Sequence, residues 1–401
     1  MSTKAAIYLD ANAGSPLKPA ARKAILSLLS GGESSGDPRS SFLIPNPSSI
    51  HSHGRRIHHA VAESRQNIAR SLGASVDPDQ LILTSSGTEA NQLSVRSVLE
   101  PRLNSGLKTH WITTTVEHDS NRKLIEWVRS RGGRVTELPV DCEGRIQLDG
   151  LENDLSQGVS LLSTVWVNNE TGVITDLSAI SALTQEWGVP WHVDGAQAWG
   201  KLPIDLSALG AQYVTFSGHK IGGLAGSGVL WAGRGQSVSP MILGKQEKGR
   251  RGGTENALGV VALGAAAHEL DPIAWMNRVQ PLRDRLEKVI CERIAGTRIN
   301  GRLADRVANT LNLNFDGVER DGLVMALDLA GFSVSAGSAC SSGVLEPSHV
   351  LKAMGKTESQ ALAAIRISLV DELPDSSLDP FVGALERSVQ RMRAAAGYSF
   401  C

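Results

Sequence analysis

The sequence predicts an α/β protein. Its centre is a mainly parallel sheet of the seven-stranded type with helices on both faces, and a smaller α+β lobe lies toward the C-terminus. Three observations carry this expectation. Short apolar runs alternate with amphipathic segments between about residues 80 and 232. Glycine is abundant, at 41 residues, while aromatic residues make up only 4%, which suits many tight strand-to-helix turns better than a β-sandwich. At 401 residues the chain is too long for one small core, and 41% hydrophobic residues supply ample material for a large one.

The apolar runs cover 81–84, 111–116, 134–140, 161–167, 190–193, 213–216 and 228–231. Helical patterns lie between them at 89–99, 120–131 and 177–187. Repetition of strand and helix argues for parallel strands covered on both faces, and in such sheets ligands sit beyond the carboxyl ends of the strands. Polar residues follow the runs at those ends: Ser86, Gly87 and Thr88, then Glu117 and His118, then Asn168, Asn169 and Glu170, then Asp194 to Gln197, then Ser217 to Lys220. Further on, 281–294 reads as a helix and 309–315 as a strand. We expect a large domain over 16–265, and a small domain made of 1–15 with 266–401.

Formal net charge is −1 with no long run of one sign, so neither direct nucleic-acid binding nor a membrane-surface role gains electrostatic support. No stretch approaches the ~18 apolar residues of a membrane span. The N-terminus lacks an apolar or arginine-rich targeting pattern. The four cysteines, 142, 291, 340 and 401, form no C-x-x-C pair. Free thiols in a reducing, cytoplasmic compartment are the expectation. Histidines 51, 53, 58 and 59 lack a carboxylate or cysteine at matching spacing, so no metal site is expected.

The polar groups at the strand ends describe one cofactor better than they describe separate structural devices. Ser86, Gly87 and Thr88 open a helix directly after a strand, which offers backbone N–H groups to a phosphate, although such residues are more often only helix caps. A lone lysine is nearly always a solvated charge, but Lys220 sits at the ligand edge just after Ser217 and His219, a setting that suits a Schiff-base amine. Asp194 ends a buried run, where a carboxylate is costly unless paired, and a protonated pyridine nitrogen is such a partner. His118 can stack on a flat ring and move protons.

With these residues in place, the chain resembles the cysteine desulfurases among the fold-type I pyridoxal-phosphate enzymes, the class V aminotransferase group. The resemblance runs from Tyr8 to Leu369 and rests on Asn46 to Ser49 with His51, Thr84 to Asn91, Glu117-His118, Val167 to Gly172, His192 to Gln197, Ser217 to Lys220, Gln246 to Asn256 and Ser338 to Gly355. It implies that Lys220 attaches pyridoxal 5'-phosphate covalently, Asp194 pairs with the ring nitrogen, and His118 stacks on the ring. It further implies that Gln197 and Asn169 contact the ring-oxygen side, and that Gly87, Thr88, Ser217 and His219 hold the phosphate. Thr254 would reach the phosphate of a neighbouring subunit, which implies a homodimer. Arg366, aided by Asn169, would bind the substrate carboxylate. Cys340, in Ser338-Ala339-Cys340-Ser341-Ser342-Gly343, corresponds to the sulfur-accepting cysteine of the long-loop class. Two places depart from the family. Gly14-Ser15 stands where two threonines are usual, and Gly222 to Gly226 stands where a tyrosine and a Gly-Pro-Lys-Gly turn are common.

The implied reaction converts L-cysteine to L-alanine and leaves the sulfur as a persulfide on Cys340, for an acceptor such as an iron–sulfur scaffold protein or a tRNA-thiolation or DNA-modification system. Rival readings are transamination, selenocysteine lysis, and a non-catalytic scaffold that binds sulfur-trafficking partners.

Overall fold

The structure, a computed structural model, describes residues 6–30, 44–337 and 346–398. Twelve strands occur among them: β1 Ile7–Tyr8, β2 Leu81–Thr84, β3 His110–Thr114, β4 Arg134–Leu138, β5 Leu161–Val165, β6 Trp191–Asp194, β7 Tyr213–Ser217, β8 Gly228–Ala232, β9 Thr297–Ile299, β10 Thr310–Phe315, β11 Phe332–Ser333 and β12 Ala364–Ser368. Strands β2 to β8 form one seven-stranded sheet in the order β2-β8-β7-β6-β5-β3-β4. Only β8 runs against its neighbours; the other pairs are parallel. All seven apolar runs read from the sequence are these strands, with ends that differ by a few residues.

Residue alternation explains why the sheet is covered on both sides. Leu81 and Leu83 of β2, Val214 and Phe216 of β7 and Val229 and Trp231 of β8 enter one apolar cluster with Ile57, Ile68, Ala262 and Leu263 from helices Ser52–Ser71 and Ala257–His268. The intervening residues Ile82, Tyr213 and Leu230 face the other way and pack with Ala90 and Leu93 of helix Gly87–Asn104. Trp111 and Leu161 do the same toward Val95, Leu99, Leu124 and Val128. A strand with period-two burial on both faces cannot slip by one residue without exposing one layer and overfilling the other.

A second core gathers Leu9 with residues from Val279 to Val389 around a three-stranded antiparallel sheet, β12-β10-β9. The helix expected at 281–294 spans Pro272–Arg293 instead. Asp271 caps it through the N–H of Ala274, and Pro272 opens it, where a missing N–H costs nothing. Pro281 is thus an interior proline and not a start signal. No single helix among the described residues is long and apolar enough to cross a membrane.

Helices Ser52–Ser71 and Ala257–His268 lie almost in backbone contact. A Cβ added at Gly264 would come 2.4 Å from Ser64 Cβ and 2.5 Å from its Cα. Alanine is intrinsically the better helix former by ~1 kcal/mol. Gly264→Ala should nevertheless lower stability by about 1–3 kcal/mol through overpacking. Chemical denaturation would check this; an unchanged or raised midpoint would refute the close approach.

Candidate active site

Six of the seven strands of the large sheet point the same way, so their carboxyl ends share one edge. A cavity of about 700 Å³ opens there. Ser86, Gly87 and Thr88 line it after β2, His118 after β3, Asn169 and Glu170 after β5, Asp194 at the end of β6 with Gln197 beyond it, and Ser217 at the end of β7 with His219 and Lys220 beyond it. Arg366 of β12 and the Asp10–Ala13 segment enter from the side of the second core.

Each side chain is placed by local chemistry. Ser86 caps helix Gly87–Asn104 by accepting from the Glu89 N–H at 3.1 Å, which leaves Gly87 and Thr88 as its first residues, at its positive end. Gly87 lies so close to β7 that a Cβ would meet Ser217 Cβ at 3.1 Å. His118 caps the next helix, Asp119–Arg129: its Nδ1 accepts from the Ser120 N–H at 3.2 Å. A neutral ring therefore carries its proton on Nε2. Asn168 brackets the turn that presents Asn169, since its Oδ1 accepts from the backbone N–H groups of Glu170 and Thr171, each at 3.0 Å. Asp194 is buried; its Oδ1 accepts from the Ala196 N–H at 3.0 Å and its Oδ2 from Asn91 Nδ2 at 2.7 Å.

The electrostatics favour a neutral amine and bound anions. Lys220 Nζ donates to the carbonyls of Asn12 at 2.5 Å and Ala13 at 2.9 Å, and among the described residues no carboxylate bonds it. Burial, reinforced by the Arg366 guanidinium, lowers its pKa to about 8. His219, bonded to Ser217 Oγ at 3.0 Å, is pushed down to about 4 by burial and by Lys220. Arg366 Nη2 pairs with Asp10 at 2.7 Å, and Nη1 donates to the carbonyls of Asn169 at 3.1 Å and Gly337 at 3.2 Å. Its Nε–H is buried without a partner among the described residues. A buried guanidinium with an unspent donor beside a cavity suits a carboxylate ligand.

Ten of the expected site residues thus line one cavity: Gly87, Thr88, His118, Asn169, Asp194, Gln197, Ser217, His219, Lys220 and Arg366. Thr254 is exposed and is not among the lining residues. Cys340 lies outside the described residues, as does Cys401. Cys142 is exposed, Cys291 is half-buried, and neither lines the cavity. His51 caps helix Ser52–Ser71 through its Nδ1. Sequence reasoning missed Asn12, Asn91 and Lys201, all buried here. Asn12 takes Lys220 and Gln197 Nε2 on its carbonyl, the latter at 2.9 Å. Lys201 Nζ donates to Asn12 Oδ1 at 2.8 Å and, in a shorter contact, to Gln197 Oε1. One signal was available for Asn91, which stands one helical turn after Thr88.

The donor set fits pyridoxal phosphate: a helix N-terminus with Ser217 and His219 for its phosphate, a buried carboxylate for a cationic ring nitrogen, an imidazole for the ring face, and an amine of lowered pKa for its aldehyde. In the cofactor-free protein, labelling of Lys220 by an amine-reactive reagent should rise with pH to a plateau, with a midpoint near 8. Peptide mapping across a pH series measures it. A midpoint near the ~10.4 of an exposed lysine would contradict the burial argument.

The family model for aminotransferase class V matches residues 7–379. A cysteine desulfurase from Nostoc sp. is 36% identical over 396 residues, which cover 98% of this chain and 95% of that protein. The solved NifS-like protein from Rickettsia africae aligns with a TM-score of 0.83 at 29% identity, covering 96% of this chain and 99% of its own. SspA, solved in complex with cysteine, aligns with a TM-score of 0.77 at 28% identity, covering 90% of this chain and 98% of its own. A lysine, an aspartate and a histidine converge at the carboxyl edge of this sheet, and the match runs along nearly the whole chain: the protein belongs to the aminotransferase class-V family.

Proposed function

We propose that this chain is a pyridoxal-phosphate-dependent cysteine desulfurase that converts L-cysteine to L-alanine and carries the sulfur on Cys340. The observation that carries the reading is the cavity itself. Lys220 and Arg366 both line it, an amine suited to a cofactor aldehyde and a guanidinium suited to an amino-acid carboxylate. The names of the relatives support cysteine as the substrate, and SspA was solved with cysteine bound.

When bound, pyridoxal phosphate supplies an electron sink for the bond pair released at the substrate α-carbon. The chain's own groups do the rest. Lys220 holds the cofactor and, as a free amine, takes the α-proton; its lowered pKa leaves a useful neutral fraction near neutral pH. Arg366, with Asn169, orients the carboxylate. His118 would stack on the ring, and Asp194 would pair with the ring nitrogen. The Cys340 thiolate attacks the substrate sulfur. The S–S bond forms as the C–S bond breaks, its electron pair goes to carbon, and a proton replaces sulfur there. The sum is L-cysteine plus a thiol giving L-alanine plus a persulfide. Support for the reach of Cys340 comes from its surroundings: Gly337 and Glu346, on either side of 338–345, both line the cavity. The persulfide would pass to an acceptor such as an iron–sulfur scaffold protein, in the cytoplasm.

Cys340→Ser is the direct test. The variant should keep its cofactor and respond spectrally to cysteine, yet form alanine at under a hundredth of the wild-type rate and gain no sulfur mass. Alanine at the wild-type rate would replace the persulfide route by a lyase that uses no cysteine nucleophile.

We also propose a homodimer in which Thr254 completes the partner's phosphate site, since Thr254 is exposed and lies outside the cavity of its own chain. Mixing inactive Thr254→Ala and Lys220→Ala proteins should then restore activity by creating one intact site per heterodimer. No recovery despite demonstrated subunit exchange would refute the shared site.

A further inference from the structure

One buried side chain, Asn91, binds Asp194 directly and reaches His118 through Ser120, and on its far side it is bonded to Thr215, which does not line the cavity. Asn91 Nδ2 lies 2.7 Å from Asp194 Oδ2 and 2.8 Å from Ser120 Oγ. A carboxylate only accepts, so the amide must turn its NH2 toward Asp194. Ser120 directs its backbone N–H and its hydroxyl at His118 Nδ1, at 3.2 and 2.9 Å. The hydroxyl proton is thereby spent on His118, and the Ser120 lone pair is left to accept from Asn91. On its far side, Asn91 Oδ1 accepts the Thr215 hydroxyl in a short contact. Thr215 Oγ1 in turn lies 3.2 Å from His192 Nε2. His192 is fully buried and burial lowers its pKa to about 4, so it stays neutral. Thr215 has already given its proton to Asn91, so the proton between the two must be on His192 Nε2. Its Nδ1 is then a bare acceptor, in keeping with its having no partner among the described residues.

Proton direction is thus fixed along the whole chain. It runs from His192 through Thr215 to the Asn91 carbonyl, and from the Asn91 amide outward to Asp194 and, through Ser120, to His118. Turning the amide over would set its oxygen against the Asp194 carboxylate and Ser120 Oγ and would break the bond that Oδ1 accepts from the Thr215 hydroxyl. That would exchange a charge-assisted hydrogen bond for a repulsion.

We propose that Asn91, oriented by Thr215, is a positioning residue that turns the Asp194 carboxylate toward the cofactor ring nitrogen while anchoring the Ser120 side of His118. The proposal rests on the pyridoxal-phosphate reading above and deepens it. It names what orients the ring-nitrogen partner in a buried site, through a charge-assisted hydrogen bond from Asn91 Nδ2.

The test uses holoenzyme loaded with pyridoxal phosphate labelled with ¹⁵N in the ring, and reads the ring-nitrogen resonance against pH together with the dissociation constant for cofactor rebinding. Asp194→Asn is the control and should abolish ring protonation at neutral pH. Asn91→Leu, close in size but without a donor, should lower the proton affinity of the ring roughly 10- to 100-fold, the worth of a hydrogen bond to a charged group, and should weaken rebinding. Thr215→Val should shift the resonance in the same direction by less, and Thr215→Ser should restore the wild-type titration. Should Asn91→Leu fail to fold, the valine and serine variants decide: a ring signal that differs between them supports the proposal, and identical signals overturn it. If Asp194→Asn loses the ring proton but Asn91→Leu and Thr215→Val titrate like wild type, Asn91 does not play this part and the cofactor reading stands. If Asp194→Asn itself keeps the ring proton, both readings fall. A merely structural role would lower the unfolding midpoint and leave the ring titration unmoved.

Discussion

Asn12 is the point at which the two cores of this protein are tied together around the cavity. Its backbone carbonyl takes Lys220 and Gln197, its Oδ1 takes Lys201 at 2.8 Å and Asn309 at 3.2 Å, and its Nδ2 donates to Thr310 Oγ1 at 2.9 Å. One asparagine therefore joins the lysine turn after β7, the loop after β6 and the strands of the second core. Apart from the half-buried Lys220, these residues are buried, where an unmade hydrogen bond costs about 1–3 kcal/mol. Moving any one partner strands several others, so the site is rigid because its polar groups are out of water, more than because the surrounding core is apolar.

The same burial sets the electrostatic character of the cavity. Lys220, Arg366 and Lys201 converge, and desolvation together with the other two cations pushes Lys201 well below its ordinary value. Lys201 donates to the side-chain amide oxygens of Asn12 and Gln197, and among the described residues no carboxylate pairs with it. Asp10, paired with Arg366, and Asp194 are the carboxylates that partly offset these cations. Such a field favours anionic ligands, a phosphate and an amino-acid carboxylate, and lowers the pKa of the Lys220 amine to about 8. Charge complementarity is thus provided by placing cations where solvent cannot screen them.

What could be read from the sequence and what could not divides along contact order. The strands were legible because period-two and continuous apolar runs are local patterns, and residues at their carboxyl ends are collected by the parallel topology itself. Lys220, Asp194 and His118 could be placed at one edge before any coordinate. Asn12, Asn91 and Lys201 were not legible as site residues because each acts through partners from distant segments: Asn12 contacts Thr310 and Asn91 contacts Thr215. A buried asparagine carries no periodic signature. Pro281 misled for the opposite reason: a strong local signal for a helix start was overridden, since Pro272 begins the helix and packing of Val279, Leu286 and Ile290 carries it onward.

The two departures from the family pattern fall on one seam, and the structure gives them complementary roles. Ser15 Oγ donates to the Lys220 carbonyl at 2.7 Å, and the Ser15 N–H donates to the His219 carbonyl at 2.9 Å. The hydroxyl that a threonine would bring is therefore kept. Gly222, on the other strand of the seam, adopts φ +84, and its carbonyl accepts from the Lys18 N–H at 2.9 Å. A Cβ there would meet Lys18 Cγ at 2.7 Å and the Pro16 carbonyl at 2.9 Å, so the N-terminal segment can lie this close only against glycine. Gly14, by contrast, has room: a Cβ would lie 3.6 Å from His219 Cδ2, ordinary contact distance. The position that could carry a larger side chain does not, while the positions that fix the lysine turn keep the groups they need. The turn after Lys220 thus docks the N-terminal segment against Lys220 through the bonds made by Ser15 and Lys18.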